Sequence, residues 1–311
     1  MKLSRKTLVM SAALATLSVG LMGNARADAF AQSILTINNF RLLHADGSAY
    51  VPADFDVLDG VNSAHARASL NGVTSVATPQ DFSILSGLNP DVAHQFVGLP
   101  NPPRGENDYT PFPSPPPVPG TFGYADQFLT GSAIAVGGRP AGATAQTRAD
   151  ASLQSAGSAS GDSDVGTSTT FSFTMGDADT MTFAFDATPF TQAYTTAGPV
   201  TNAIARLSWS LNIVNLTTGA LVLSYQPGAL NGDANVSRTG TFAGLSTYNP
   251  GSGFFTTTTP LLNGEDTYQL TVQHNTLANA LQGASVPEPG TLAIFGLGLL
   301  GMTAFKRRRS A

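Results

Sequence analysis

The 311-residue sequence contains no cysteine, which excludes a disulfide framework, a thiolate nucleophile and a thiolate metal site. Lysine is nearly absent as well. It occurs only at Lys2, Lys6 and Lys306, so the long stretch between them holds no lysine for a phosphate-binding loop or a Schiff base. No G-x-S-x-G or H-E-x-x-H pattern occurs either. These absences argue against an enzyme and nominate no cofactor.

Histidine and glutamate are also scarce. Four histidines occur, at His44, His65, His94 and His274. None of them is paired at metal-ligand spacing, so we expect ordinary surface or turn residues. The three glutamates are Glu106, Glu265 and Glu288. No carboxylate pair stands out for glycoside hydrolysis.

Two short acidic segments leave calcium open as a cofactor. Gly-Asp-Ser-Asp at 161–164 and Gly-Asp-Ala-Asp at 176–179 place carboxylates two residues apart beside a glycine, which suits oxygen ligation in a loop. Both segments lack the remaining ligands of an EF-hand. Asp is also a common turn residue because its side chain caps the backbone, so turns are the simpler interpretation.

Charge is distributed unevenly along the chain. Between Asp28 and Pro289 there are 7 arginines and 20 acidic residues, a formal charge of −13, whereas the whole chain has −5. The difference arises because most basic residues lie near the two ends of the sequence. A segment this acidic repels nucleic acid, so we expect no nucleic-acid partner.

The first 27 residues have the pattern of a secretory signal peptide. A basic start at 2–6 is followed by an apolar run at 8–22, and Ala25 and Ala27 then form a small-x-small triplet. The alternative is a membrane anchor, which needs about 20 apolar residues and is therefore less consistent with this shorter run. We predict a signal peptide over 1–27, with Ala25 and Ala27 as the site that signal peptidase reads.

Three blocks follow one another near the C-terminus. Pro287, Glu288 and Pro289 form an extended segment, because each proline disfavours helix at the residue before it. An uncharged apolar run at 291–305 comes next, about 22 Å long as a helix against a hydrocarbon core of roughly 30 Å. This predicts a short, marginal transmembrane helix. Four cations close the pattern and would stay in the cytoplasm: Lys306, Arg307, Arg308 and Arg309.

This order of blocks resembles the PEP-CTERM sorting signal of bacterial surface proteins. The resemblance covers residues 286–311 and implies an exosortase, a membrane-embedded transpeptidase, as partner. It also implies that Pro287, Glu288 and Pro289 are the sorting signal and that the basic residues are a stop-transfer cluster. The implied locations are a transient anchor in the inner membrane and then the cell surface or extracellular matrix, with exopolysaccharide and biofilm. The alternative is an ordinary single-pass anchor.

The region between the two ends, 28–285, reads as an all-β exported domain. Apolar residues alternate at 171–187 on both sides of a Gly/Asp turn, which predicts a β-hairpin, and a second hairpin is predicted at 206–225. A further strand is expected at 268–272. Short strands and frequent turns favour a β-sandwich or jelly roll. One domain interrupted by a loop is preferred over a division that makes 28–98 a separate subdomain.

Three stretches of this domain lack a clear strand pattern. Nine prolines at 100–120 predict a long proline-rich loop. The small residues of 141–170 are compatible with an exposed edge strand or a flexible segment. The polar segment at 275–285 is expected to be a tether to the sorting tail.

Two molecular roles remain open for this domain. The first is a non-enzymatic surface or matrix protein displayed within an exopolysaccharide. The second is a carbohydrate-binding module that holds the polymer through exposed rings, for which Trp209 is a poor candidate because its strand pattern places it in the core. The rings that distinguish the two roles are Tyr109, Phe112, Tyr124, Tyr194, Tyr248, Phe254 and Phe255.

Overall fold

The computed structural model describes residues 28–86, 88–165, 169–198 and 200–283. The sixteen strands of these residues, in chain order, are β1 (Ala29–Leu43), β2 (Phe55–Leu70), β3 (Val73–Val76), β4 (Gln80–Ser83), β5 (Gln95–Pro100), β6 (Gly120–Thr130), β7 (Ala143–Leu153), β8 (Gly157–Val165), β9 (Thr169–Met175), β10 (Thr182–Thr195), β11 (Thr201–Asn215), β12 (Leu221–Tyr225), β13 (Val236–Thr239), β14 (Gly244–Tyr248), β15 (Gly253–Thr258) and β16 (Thr267–Gln282). Three short 3-10 helices lie at Pro52–Asp54, Gly228–Leu230 and Gly232–Ala234.

The strands form two antiparallel sheets that pack face to face. Sheet A has the order β14-β10-β1-β7-β6-β5, with β15 also paired to β10. Sheet B has the order β12-β11-β16-β8-β2-β3, with β13 on β11, β4 on β2 and β9 paired to both β16 and β2. Because β1 and β2 both pair with strands from the second half of the chain, the first hundred residues belong to the same two sheets as the rest. The all-β prediction is confirmed.

At one end the two sheets are held apart by large rings. Phe183 and Phe185 of sheet A face Phe173 and Trp209 of sheet B, and the ring centroids of Phe185 and Trp209 are 4.5 Å apart. Alternation along each strand places every second residue in this core. Trp209 is buried, as its strand pattern predicts.

At the other end the sheets approach one another through small residues. The buried cluster there is almost entirely alanine: Ala29, Ala31, Ala149, Ala151, Leu153, Ala159, Ala193, Ala203, Ala205, Ala278 and Ala280. A Cβ on Gly161 of β8 would collide with the carbonyl oxygen of Tyr124 on β6 and lie 2.9 Å from the backbone nitrogen of Asp150 on β7. Side-chain size therefore sets the separation of the sheets along the sandwich.

One predicted hairpin is correct and the other is wrong. Within 206–225, β11 and β12 pair as predicted, with Leu211 opposite Tyr225. Within 171–187, β9 belongs to sheet B and β10 to sheet A, so the two strands do not pair. Segment 176–181 carries the chain from one sheet to the other. Both strands face the same core, which gives each the alternation that a hairpin would also show.

Two stretches without a clear pattern are in fact interior strands. Within 141–170, β7 lies between β1 and β6, and β8 lies between β16 and β2. The predicted tether at 275–285 is wrong for most of its length, because β16 continues to Gln282 with Ala278 and Ala280 buried. These strands bury alanine rather than large apolar residues, so their alternation is weak in the sequence.

The proline-rich segment between β5 and β6 packs onto the outer face of sheet A. Its Phe112 and Val118 are buried against Phe30 of β1, Phe122 of β6 and other rings of that face. The rings of Phe112 and Phe30 form a T-shaped, edge-to-face pair with centroids 5.9 Å apart. The segment is therefore a cover for sheet A.

Candidate functional site

The residues that the sequence nominates as sites lie outside the described residues. This holds for the signal-peptidase site (Ala25, Ala27), the sorting signal (Pro287, Glu288, Pro289), the predicted transmembrane helix at 291–305 and the basic cluster (Lys306, Arg307, Arg308, Arg309). The structure does show where the chain leaves the sandwich toward them. Strand β16 ends at Gln282, and the backbone N–H of Gly283 donates to the carbonyl oxygen of Val200 at 2.8 Å.

The chain enters the sandwich at β1 and leaves it after β16 at the same end of the two sheets. Ala29, the first residue of β1, pairs with Leu153 of β7 and Thr195 of β10. Only residues 196–200 separate Thr195 from Thr201, and Thr201 pairs with Gln282. We call this region the exit end. It comprises Asp28, Gly283, the connections 71–72, 154–156, 196–200 and 240–243, and the two ends of the proline-rich segment, where Pro100 pairs with Gly120.

The rings considered for sugar binding are mostly buried or half-buried. Phe112 of the proline-rich segment is buried against sheet A, and Tyr124 and Tyr194 are buried in the same cluster. Tyr109, Tyr248 and Phe255 are half-buried, and Phe255 stacks on Phe185 with centroids 5.4 Å apart. Phe254 is 62 % exposed, the one well-exposed ring of the seven. The described residues therefore show no row of exposed rings among these seven.

The two acidic segments differ in local structure. Residues 161–164 lie within β8, so the interpretation as a turn is wrong there, and Asp164 is 3.8 Å from Nδ1 of His65. Residues 176–179 do form the connection after β9. There Asp179 Oδ2 is bound by His44 Nδ1 at 2.6 Å and by the hydroxyl of Tyr50 at 3.0 Å. Over the described part of the chain, no group of three or more His, Asp or Glu is placed to hold a metal ion. Calcium binding stays a prediction.

One histidine is not the surface residue that we expected. His274 of β16 is buried between the sheets, where its Nε2 lies 3.2 Å from the carbonyl oxygen of Leu35 and 3.0 Å from Oγ1 of Thr147. A carbonyl only accepts, so Nε2 carries the proton. Burial lowers the pKa of His274 to about 4, because a charged ring would be desolvated. The ring is therefore neutral at neutral pH.

A cavity of about 540 Å³ lies beside His274, between the sheets at the end where large rings hold them apart. Its walls are mainly apolar and include Phe40, Leu58, Trp209 and Val272, and the exposed Arg139 lies on its lining. The volume is in the range of small-molecule sites. Sequence reasoning missed the cavity because its walls come from both sheets and from connections far apart in the chain.

A buried ion pair lies under the proline-rich segment. The side chains of Arg148 and Asp150 on β7 are both fully buried, and Arg148 Nε donates to Asp150 Oδ2 at 2.6 Å. Arg148 Nη1 donates to the backbone oxygens of Asp108 and Thr110, each at 2.7 Å. The backbone N–H of Phe112 donates to Oε1 of Gln32 at 3.0 Å. These bonds fasten the segment to sheet A, which gives the network a structural role.

A buried carboxylate holds the start of the same segment. Asp126 of β6 accepts from the backbone N–H of Asn107 at 2.8 Å and from the hydroxyl of Tyr124 at 3.0 Å. Burial, and next the charge of Glu106, raise the pKa of Asp126 to about 7. Perturbed carboxylates occur in structural networks as well as in catalytic sites. Here Asn107 belongs to the cover and Tyr124 is a neighbour of Asp126 on β6, which favours the structural role.

No helix of the described residues is long and apolar enough to cross a membrane. No curated protein and no solved structure matches the chain. A family model of the PEP-CTERM protein-sorting motif matches residues 285–309. This match begins two residues after Gly283 and covers the segment that the sequence singled out. The chain therefore carries the PEP-CTERM protein-sorting motif, which makes it an exported protein that is sorted by an exosortase through its C-terminal signal.

Proposed function

We propose that the protein is a non-enzymatic component of the cell surface or extracellular matrix, displayed within exopolysaccharide or biofilm. In this proposal, signal peptidase removes residues 1–27, and the run at 291–305 anchors the chain transiently in the inner membrane. An exosortase then cuts near Pro287, Glu288 and Pro289. The observation that carries the proposal is the sorting motif at 285–309, joined almost directly to the last strand of an all-β domain.

The composition of the folded domain supports this role. Residues 28–283 contain no lysine and many more acidic residues than arginines, which favours solubility in an aqueous matrix. The fold is held by two large sheets without a disulfide. Two side chains with shifted pKa values, His274 and Asp126, are hydrogen-bonded within the fold, which is consistent with a protein that performs no chemistry.

Mass spectrometry of the secreted protein tests the processing. We expect a start near Asp28 and an end near Pro287 to Pro289 in the surface form, with the basic cluster removed. Glu288→Ala should cause uncut chain to accumulate in the membrane fraction, because the recognition segment is altered. Glu265→Ala changes an exposed glutamate of the folded domain and should leave processing intact. A surface form that keeps Arg307 to Arg309 would overturn the proposal.

Retention on exopolysaccharide tests the molecular role. A matrix component should be recovered with the polymer in the native biofilm, and Phe254→Ser should leave that recovery unchanged. The alternative, a carbohydrate-binding module, requires an exposed ring. Phe254→Ser would then release the protein, whereas Leu261→Ser, at a comparably exposed residue, would not. Absence from both the surface and the polymer would contradict both roles.

A further inference from the structure

The exit end of the sandwich is almost free of charge, in contrast to the opposite end. The connections 71–72, 154–156, 196–200 and 240–243 contain no Asp, Glu, Lys or Arg. The proline-rich segment also begins and ends at this end, and it carries Arg104, Glu106 and Asp108. Glu106 and Asp108 contact His94 and Arg148 within the body of sheet A, which leaves Asp28 and Arg104 as the charged residues nearest to this end. At the opposite end, the three connections β1–β2, β9–β10 and β15–β16 contain six acidic residues: Asp46, Asp54, Asp177, Asp179, Glu265 and Asp266. We call that region the acidic end.

Two large apolar side chains project from the exit end. Val200 is 68 % exposed and Phe242 is 74 % exposed. Their loops touch, since a Cβ on Gly240 would collide with the carbonyl oxygen of Gly198. The turn that carries Phe242 is fixed to β11, because Gly240 N–H donates to the carbonyl oxygen of Thr201 at 2.8 Å. The two side chains therefore project from adjoining loops of the same end.

Val200 is also held in an unfavourable backbone conformation. Its φ is +54°, in the left-handed region that β-branched residues rarely adopt. Glycine or asparagine would relieve the strain at such a position. Burial in this fold does not stabilise the exposed side chain of Val200. An apolar contact outside the fold would explain why a valine occupies this strained position.

The short segment between Gly283 and the apolar run at 291 limits the distance between the exit end and a membrane that holds the run. Eight residue steps separate Gly283 from the apolar run at 291, so even a fully extended chain spans at most about 29 Å. The sandwich is longer, because 15 residues of β1 at about 3.3 Å each make roughly 50 Å. In the anchored stage of the proposed function, this chain length would allow the exit end, and not the acidic end, to lie near the bilayer.

Charge favours the same orientation. A bilayer with anionic lipids repels carboxylates within a Debye length of about 8–10 Å. An upright sandwich keeps the six carboxylates of the acidic end well beyond that distance. A sandwich lying on its side would bring part of them into the field. Exposed leucines also occur at the acidic end, for example Leu221 and Leu261, but there they share the surface with carboxylates.

From these observations we propose that the exit end is a lipid-facing surface, with Val200 and Phe242 inserted among the headgroups of the membrane that holds the sorting tail. The inference rests on the proposed function, because it applies to the anchored stage before exosortase cleavage. Apolar and aromatic side chains are stabilised at this depth of a bilayer. The contact would hold the domain upright and present the sorting signal in a fixed position.

The absence of cysteine gives a direct test in the full-length chain. Single variants Val200→Cys and Phe242→Cys carry an environment-sensitive fluorophore, and the protein is reconstituted in vesicles of zwitterionic and anionic phospholipid with brominated chains. Leu221→Cys and Leu261→Cys are matched controls, because their 63 % and 64 % exposures are similar but they lie at the acidic end. We expect several-fold stronger quenching and a blue-shifted emission at 200 and 242.

Vesicle flotation separates the two ways in which the idea fails. If the chain floats with the vesicles but all four labels behave alike, the lipid-facing surface is wrong and the anchor stands. If the labels at 200 and 242 are shielded from aqueous quenchers without quenching by bromine, the surface binds protein instead. If the chain does not float, the anchor fails and the inference fails with it.

Discussion

Nε2 of His274 on β16 lies 3.2 Å from the carbonyl oxygen of Leu35 on β1, so a side-chain hydrogen bond joins the two sheets through the middle of the sandwich. The other ring nitrogen, Nδ1, is buried and has no hydrogen-bond partner among the described residues. A proton added there would place an unpaired charge between the sheets. For this reason the pKa of His274 falls to about 4.

His274 should make the fold sensitive to acid. The folded pKa of about 4 lies below the unfolded value of 6.5, so the unfolded chain binds more protons between these pH values. The contribution is present above pH 6.5 and is lost as the pH falls toward 4, by on the order of 3 kcal/mol. In urea unfolding, the free energy of unfolding of the wild-type chain relative to that of His274→Gln should therefore be lower at pH 4.5 than at pH 7.5. His65→Gln, at a half-exposed histidine, serves as the control. A difference that does not vary with pH would show that His274 is not buried as described.

Asp126 should act in the opposite direction. Burial raises its pKa above the ordinary value of 3.8, so the folded chain holds a proton that the unfolded chain has released. Its contribution favours the fold at low pH and is lost as the pH rises toward 7. Asp126→Asn removes this titration, and its unfolding free energy should improve relative to wild type between pH 5 and pH 7.5. Asp81→Asn, at an exposed carboxylate, should show no such trend. A parallel pH profile for Asp126→Asn and wild type would contradict the assignment.

The sequence was sufficient for the features that large residues or linear motifs specify. Alternating rings predicted the all-β class and the buried position of Trp209, and the order of three blocks predicted the sorting motif at 285–309. The inner strands β7 and β8 were missed, because alanine gives little contrast with serine and threonine. Their burial depends on how closely the opposite sheet approaches, and no local pattern encodes that distance.

The sequence also could not predict that the two ends of the folded domain, Ala29 and Gln282, lie at the same end of the sandwich. This arrangement depends on the register of β1 against β7 and β10, and on that of β11 against β16. The cover over sheet A was missed for a similar reason. Nine prolines exclude a regular ladder, but they do not reveal that Phe112 between them is buried against the outer face.

Arg148 should stabilise the cover over sheet A both by its ion pair with Asp150 and by its hydrogen bonds to the backbone of the cover. Arg148→Met leaves the buried carboxylate of Asp150 without its charged partner, with Gln32 Nε2 still donating to it, and removes the bonds to the backbone oxygens of Asp108 and Thr110. Breaking one side of a buried pair costs about 3–5 kcal/mol. The double variant Arg148→Met, Asp150→Asn should recover part of that loss, because no buried charge remains. Equilibrium unfolding measures both, with Arg139→Met as an exposed control. Equal stability of the single and the double variant would refute the role of the ion pair.

Gly161 should tolerate no side chain, because it lies where the two sheets are closest. An added Cβ would collide with the carbonyl oxygen of Tyr124 and lie 2.9 Å from the nitrogen of Asp150. Both atoms are backbone in the opposite sheet, so no rotamer change can make room. Overpacking usually costs about 1–3 kcal/mol, and we expect Gly161→Ala to lose at least that much in chemical unfolding.

Gly232→Ala is the matched control, because nothing lies within 4 Å of its added Cβ and it should unfold like wild type. If Gly161→Ala were as stable as this control, the alanine-lined sheets would be further apart than described. The close approach of β8 to β6 and β7 would then be wrong, and with it the physical reason why strands of small residues are buried in this fold.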